Sequence, residues 1–150
     1  MTMDCPPLRI ESQVSLSVRE LLEAARAARD RAYVPYSQFA VGAAVRAASG
    51  RIVRGFNIEN ASYGLTMCAE RVALFAALAS GETGVTDIAL TADQPGTLVP
   101  CGACRQVMVE LAPAARVWMS NLDGLLREST VEALLPDTFT FAPPRASKEV

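Results

Sequence analysis

Apolar positions between residues 17 and 33 recur at helical spacing: Val18, Leu21, Leu22, Ala25 and Ala28 share one face, and charged residues occupy the other. The pattern predicts a helix opened by Ser17, with Glu20 three residues later as its capping-box partner, and closed near Tyr33 ahead of Pro35. The period then changes. FAVGAAVRA and RIVRGFNI read as strands joined at Ser49-Gly50, which makes an antiparallel hairpin. CAERVALFAALASG returns to helix and stops at Gly81, DIALTA is a short buried strand, ACRQVMVELAP a further helix and ARVWMS a further strand. Residues 1–13 and 143–150 carry no sustained period and read as tails around a single domain. Helix, hairpin, helix, strand, helix, strand implies a three-layer α/β/α sandwich around a mixed, roughly five-stranded sheet, because each β-helix-β crossover lays its helix over the sheet.

Composition narrows the function more than the fold. Of 150 residues, 51% are apolar and 20% charged, the profile of a packed globular chain. A net charge of −2 and a single lysine, Lys148, leave no basic surface for nucleic acid. No apolar run reaches membrane-spanning length and the first residues lack a secretory pattern, so a cytoplasmic protein is expected. There is no histidine, which excludes Ser-His-Asp and Cys-His catalysis and leaves carboxylates, thiolates or a metal to carry any chemistry.

The cysteines are candidate ligands for such a metal. Cys68 opens the second helix; Cys101 and Cys104 bracket Gly102-Ala103 at the start of the third. A C-x-x-C turn lets two thiolates converge, and a third ligand from another helix start leaves one tetrahedral position open, which is the pattern of a catalytic site. Taken alone, the C-x-x-C pair is equally a redox pair or a structural half-site, and Cys5 would be the fourth ligand of a closed one. Glu70, two residues after Cys68, weighs towards catalysis as an acid-base group. Residues two apart in a regular helix point about 200° from one another. Cys68 and Glu70 therefore meet on one site only if Cys68 holds the non-helical cap position.

The stretches C-A-E and P-C-G-A-C-R-Q resemble the zinc-dependent cytidine deaminases of the small homotetrameric type, in which three cysteines replace a His-Cys-Cys set. The resemblance runs from about Tyr33 to Phe139 through PYSQFAVGAA, GFNIENASYGLTMCAER, VPCGACRQV and LLPDTF. It implies one Zn²⁺ on Cys68, Cys101 and Cys104, activation of water for attack at C4 of cytosine, and Glu70 as the proton carrier. It also implies Asn57 and Glu59 on the ribose hydroxyl, Phe39 against the base, the backbone around Ala69 reading the base edge, and Tyr63 and Phe139 reaching a neighbouring subunit's site. The implied substrates are cytidine and 2′-deoxycytidine, in pyrimidine salvage. Blasticidin-type deaminases share the zinc pattern without an N-x-E pair, and deamination within a polynucleotide goes with H-x-E and a basic groove. A non-catalytic zinc module closed by Cys5 is the reading from another class. Arg71 has a physical argument of its own: zinc with three thiolates carries a net charge of −1, which two helix N-termini, each worth roughly half a positive charge, and a guanidinium can offset.

Overall fold

The computed structural model describes residues 7–141. Its elements are β1 (Arg9–Ile10), α1 (Leu16–Arg29), β2 (Val41–Ala47), β3 (Ile52–Phe56), α2 (Ala69–Ala79), β4 (Val85–Ala92), α3 (Gly102–Leu111), β5 (Arg116–Asn121), β6 (Leu125–Thr130) and α4 (Val131–Leu134). They form one mixed sheet in the order β1-β6-β5-β4-β2-β3. Only β4 and β5 are parallel, joined by the α3 crossover; the other pairs are antiparallel.

Period-2 alternation divides the core between the two faces. Ala44, Ala89, Trp118 and Leu126 meet Val18, Leu21, Leu22 and Ala25 of α1. Ala43, Val45, Ile88, Leu90, Val117 and Met119 face the opposite way, towards Ala73, Leu74 and Ala77 of α2 and Cys104 and Met108 of α3. Two glycines set how closely the helices approach. A Cβ on Gly42 would lie 1.9 Å from the Ala25 carbonyl, and one on Gly55 would lie 2.5 Å from that of Ala69. Gly55 thus lets α2 settle onto β3 at the turn that carries Cys68 and Glu70.

Four expectations need correction. The sheet has six strands: β6 follows the Asp123-Gly124 turn, with Gly124 at φ 83°, a hairpin signal that the short, irregular LLREST run obscured. Second, the N-terminal tail is shorter than 1–13, because Arg9 and Ile10 pair with Leu126 and Leu125 and the Glu11 amide donates to the Gly124 carbonyl at 3.1 Å. Third, α1 is capped by Ser15, whose hydroxyl accepts from the Val18 amide at 3.4 Å, so Ser17 lies inside the first turn. Glu20 reaches Arg46 at 3.3 Å instead of closing a capping box. Fourth, the same helix ends at Arg29, because Tyr33 is drawn into an extended bridge with Ile58 ahead of Pro35.

Candidate metal centre and nucleoside site

Two helix N-termini build the metal centre. Cys68 is the N-cap of α2, at φ −73° and ψ 153°, and Cys101 is the N-cap of α3, at φ −69° and ψ 167°. Both are extended, the cap geometry that Cys68 requires if it is to share a site with Glu70. Cys104, one turn into α3, is fully buried. The sulfurs of Cys68 and Cys101 lie 3.9 Å apart, those of Cys101 and Cys104 3.5 Å, and all three within 4.8 Å of one another. Tetrahedral zinc with bonds of about 2.3 Å separates its sulfurs by about 3.8 Å, so the trio already has the spacing of a zinc site.

The charges agree with that spacing. The Cys68 thiol is pushed down to about 5, first by its hydrogen bond with Cys104 and then by Arg71. Cys104 is pushed up, first by the same bond with Cys68 and then by burial. One proton shared by two sulfurs is what close thiolates enforce, and a cation among them displaces it. Arg71 stands where the charge argument put it, with Nη2 donating to the Cys68 sulfur at 3.4 Å and approaching the Thr66 carbonyl at 3.5 Å.

Glu70 is 4% exposed, at the second position of α2 beside the fully buried Ala69. Burial raises its carboxyl above the ordinary range, with the Cys68 charge acting in the same direction. Hydrogen bonding from its own backbone amide, and lesser effects of Cys104 and Arg71, oppose the rise. Glu70 thus lies within reach of the Cys68 charge and outside the group of three sulfur donors.

A second cluster lies alongside. Ile58, between Asn57 and Glu59, forms a two-bond bridge with Met67, each amide donating to the other's carbonyl at 2.9 Å. This ties the N-I-E segment to the residue preceding Cys68. Asn57 accepts from the Val41 amide through Oδ1 and donates to the Phe39 carbonyl through Nδ2, both at 2.8 Å. Glu59, 7% exposed, accepts from the Tyr36 amide at 2.9 Å and the Ser37 amide at 3.2 Å. Hydrogen bonding from Ser37 leads the effects that hold its carboxyl below the usual range, with Tyr36 contributing.

Sequence reasoning missed this use of the pair. Asn57 and Glu59 fasten the 36–41 loop, in which Gln38 takes φ 56°, a left-handed conformation unusual for a residue with a side chain. Each retains hydrogen-bonding capacity, one amide N–H on Asn57 and further lone pairs on Glu59, so the clamp leaves groups to meet a ligand. The signal was in PYSQF, where Pro35 and Ser37 mark a tight turn.

The aromatic candidates are exposed. Phe39 is 39% exposed, Tyr63 68% and Phe139 66%. Tyr63 packs on Tyr36 with ring centroids 6.3 Å apart, and the Phe139 carbonyl accepts from Gln106 Nε2 at 3.0 Å. Cys5 lies outside the described residues.

Fold and site together define an α/β/α protein whose paired helix starts hold one zinc ion beside a buried carboxyl. The chain belongs to the family described as the cytidine and deoxycytidylate deaminase zinc-binding region, whose model matches residues 16–120. It is 55% identical over 121 residues to a cytidine deaminase of Halalkalibacterium halodurans, covering 80% of this chain and 92% of that one. The crystal structure of a cytidine deaminase from Burkholderia pseudomallei superposes with a TM-score of 0.78 at 50% identity, over 80% of this chain and 97% of that one. A cytidine deaminase from Mycobacterium tuberculosis gives a TM-score of 0.74 at 38% identity, over 85% and 100%.

Proposed function

We propose that this protein hydrolyses cytidine and 2′-deoxycytidine to uridine and 2′-deoxyuridine with release of ammonia. The observation that carries the reading is a trio of sulfurs at zinc spacing with Glu70, buried to 4% exposure, in the first turn of the helix that Cys68 caps, one bridge away from the N-I-E segment. Zinc, when bound by Cys68, Cys101 and Cys104, supplies the Lewis acidity that makes water nucleophilic near neutral pH.

The chain's own groups do the rest. Glu70 takes a proton from the water as its oxygen bonds to C4 and passes it to ring N3; it then takes the proton left on that oxygen, as the C4 carbonyl forms, and passes it to the departing amino group. The C4–N bond breaks, ammonia leaves, and the carboxylate ends as it began. The backbone at Ala69 reads the polar edge of the base, and Phe39 packs on its face. Asn57 and Glu59 offer their remaining hydrogen-bonding positions to the sugar hydroxyl, and a polar pair of this kind, Glu59 buried and Asn57 partly so, discriminates against a base that lacks the sugar.

The same reading makes the chain one 150-residue domain acting in pyrimidine salvage in the cytoplasm, where three neighbouring free thiols stay reduced. It also makes it a homotetramer whose sites are completed by Tyr63 and Phe139 across interfaces. Supporting that assembly, Leu65, Tyr63, Leu78 and Phe139 are all more than half exposed, an apolar surface of the kind subunit contacts cover. No helix among the described residues is long and apolar enough to cross a membrane.

The test is loss of the cytidine absorbance band on incubation with zinc-loaded protein, run beside Glu70→Gln. Wild type is expected to bleach the band, and the variant to keep its zinc while slowing by about a hundredfold or more. No bleaching by wild type refutes the reaction. A variant that loses its metal, or works at the wild-type rate, refutes the role of Glu70.

A further inference from the structure

The segment after α4 is held in an unusual way. Among the described residues, no backbone-to-backbone hydrogen bond joins residues 136–141 to any other part of the chain. The segment is held instead by a side chain of α3, Gln106, while the preceding α3 residue, Arg105, holds the end of α4 that leads into it. Gln106 Nε2 donates to the Phe139 carbonyl at 3.0 Å. Arg105 Nη1 donates to the carbonyl of Leu134, the last residue of α4, at 2.8 Å, and its Nε donates to the Pro100 carbonyl at 3.0 Å. Between these anchors the Thr138 hydroxyl donates to the Leu135 carbonyl at 2.6 Å.

Each contact meets a particular need. The carbonyls at a helix end have no partner within the helix, and the planar guanidinium presents donors in fixed, divergent directions that a single ammonium cannot reproduce. Arg105 therefore spans two elements at once. Its Pro100 contact falls on the residue before Cys101, and Arg105 itself follows Cys104, so the segment is tied to the loop that carries two of the sulfur donors. Gln106 then fixes the backbone at Phe139 while the ring stays 66% exposed, packed edge-on against Phe141 with centroids 5.3 Å apart. A side chain held by its backbone with its ring projecting is placed to touch something outside its own core.

We propose that Arg105 and Gln106 are positioning residues that clamp the C-terminal aromatic segment to the metal loop and so present Phe139 to the nucleoside. The inference rests on the reading that Phe139 packs against the substrate. It adds that the affinity Phe139 supplies depends on two α3 side chains that never touch the nucleoside themselves.

The experiment measures kcat, KM for cytidine and zinc content of the full-length, zinc-loaded protein as wild type, Gln106→Leu, Phe139→Ala and the double variant. Gln106→Leu removes the donor and keeps much of the volume. Its KM is expected to rise about three- to tenfold, the worth of one hydrogen bond, with kcat and zinc content within about twofold of wild type. The double variant should be no worse than Phe139→Ala alone, because the clamp acts only through that ring. Gln106→Glu, which sets an acceptor against the Phe139 carbonyl, should repeat the KM effect, and Arg105→Lys should do so because lysine cannot span both carbonyls. Raised KM for Phe139→Ala beside unchanged KM for Gln106→Leu and Gln106→Glu overturns the clamp and leaves the reading of Phe139 standing. Multiplying effects in the double variant, or lost kcat and zinc in Gln106→Leu, also overturn it. Unchanged KM for Phe139→Ala removes the reading beneath the proposal, and the proposal with it.

Discussion

Replacing Arg71 by glutamine removes a side-chain cation in contact with the sulfur trio. At 3.4 Å, a guanidinium and a thiolate attract with about 5 kcal/mol at an effective dielectric of 20. Little of that survives as net affinity. The arginine is only half-buried, the medium screens it, and glutamine still offers a neutral donor. A net loss of about 1–2 kcal/mol remains, within or just below the usual worth of a hydrogen bond to a charged group, and it corresponds to zinc binding weakened about 5- to 30-fold. Competition against a chromophoric chelator at fixed pH reads this as a raised Kd for zinc. The same change leaves the centre more negative, so the acid limb of the pH–rate profile should move to higher pH. Arg71→Lys keeps the charge and should recover part of both effects. A Kd within twofold of wild type together with an unmoved acid limb would refute the charge argument and return Arg71 to a packing role.

The other two predictions address the loop clamp and the assembly. Glu59 has a carboxyl held below its ordinary value of 4.5, so its contribution to stability is complete above that value and is lost as pH falls through the lower folded one. Thermal melts should therefore show wild type ahead of Glu59→Gln at neutral pH and converging with it in acid; a gap independent of pH would contradict the Tyr36 and Ser37 contacts. For the proposed assembly, hybrids of Phe139→Ala and Glu70→Gln chains, confirmed by mass, should exceed the activity of either parent, since in a tetramer with shared sites some sites then pair an intact Glu70 with a neighbour's intact Phe139. Activity equal to the average of the parents would confine Phe139 to its own chain.

Local chemistry made much of this site legible. Cysteine at two helix starts, a carboxylate two residues from one of them and the absence of histidine needed only spacing and cap geometry to become a metal centre, because a helix start fixes its side chains over one turn. The layered fold followed for the same reason, since periods of 3.6 and 2 belong to single elements.

Relations between distant segments were decided only in the tertiary structure. Nothing near Ser17 shows that Glu20 prefers Arg46 across the fold, or that Ser15 is the better cap. The strand at Arg9–Ile10 exists because β6 lies beside it, since two residues have no strand propensity to speak of alone. Asn57 and Glu59 could be read as ligand contacts, but their hold on the 36–41 loop depends on backbone amides and a carbonyl some 16 to 23 residues away in sequence. The Arg105 and Gln106 contacts span 29 and 33 residues. Periodicity and motif spacing report on neighbours along the chain, whereas a hydrogen bond that closes a loop of that length forms only after packing has brought its two ends together.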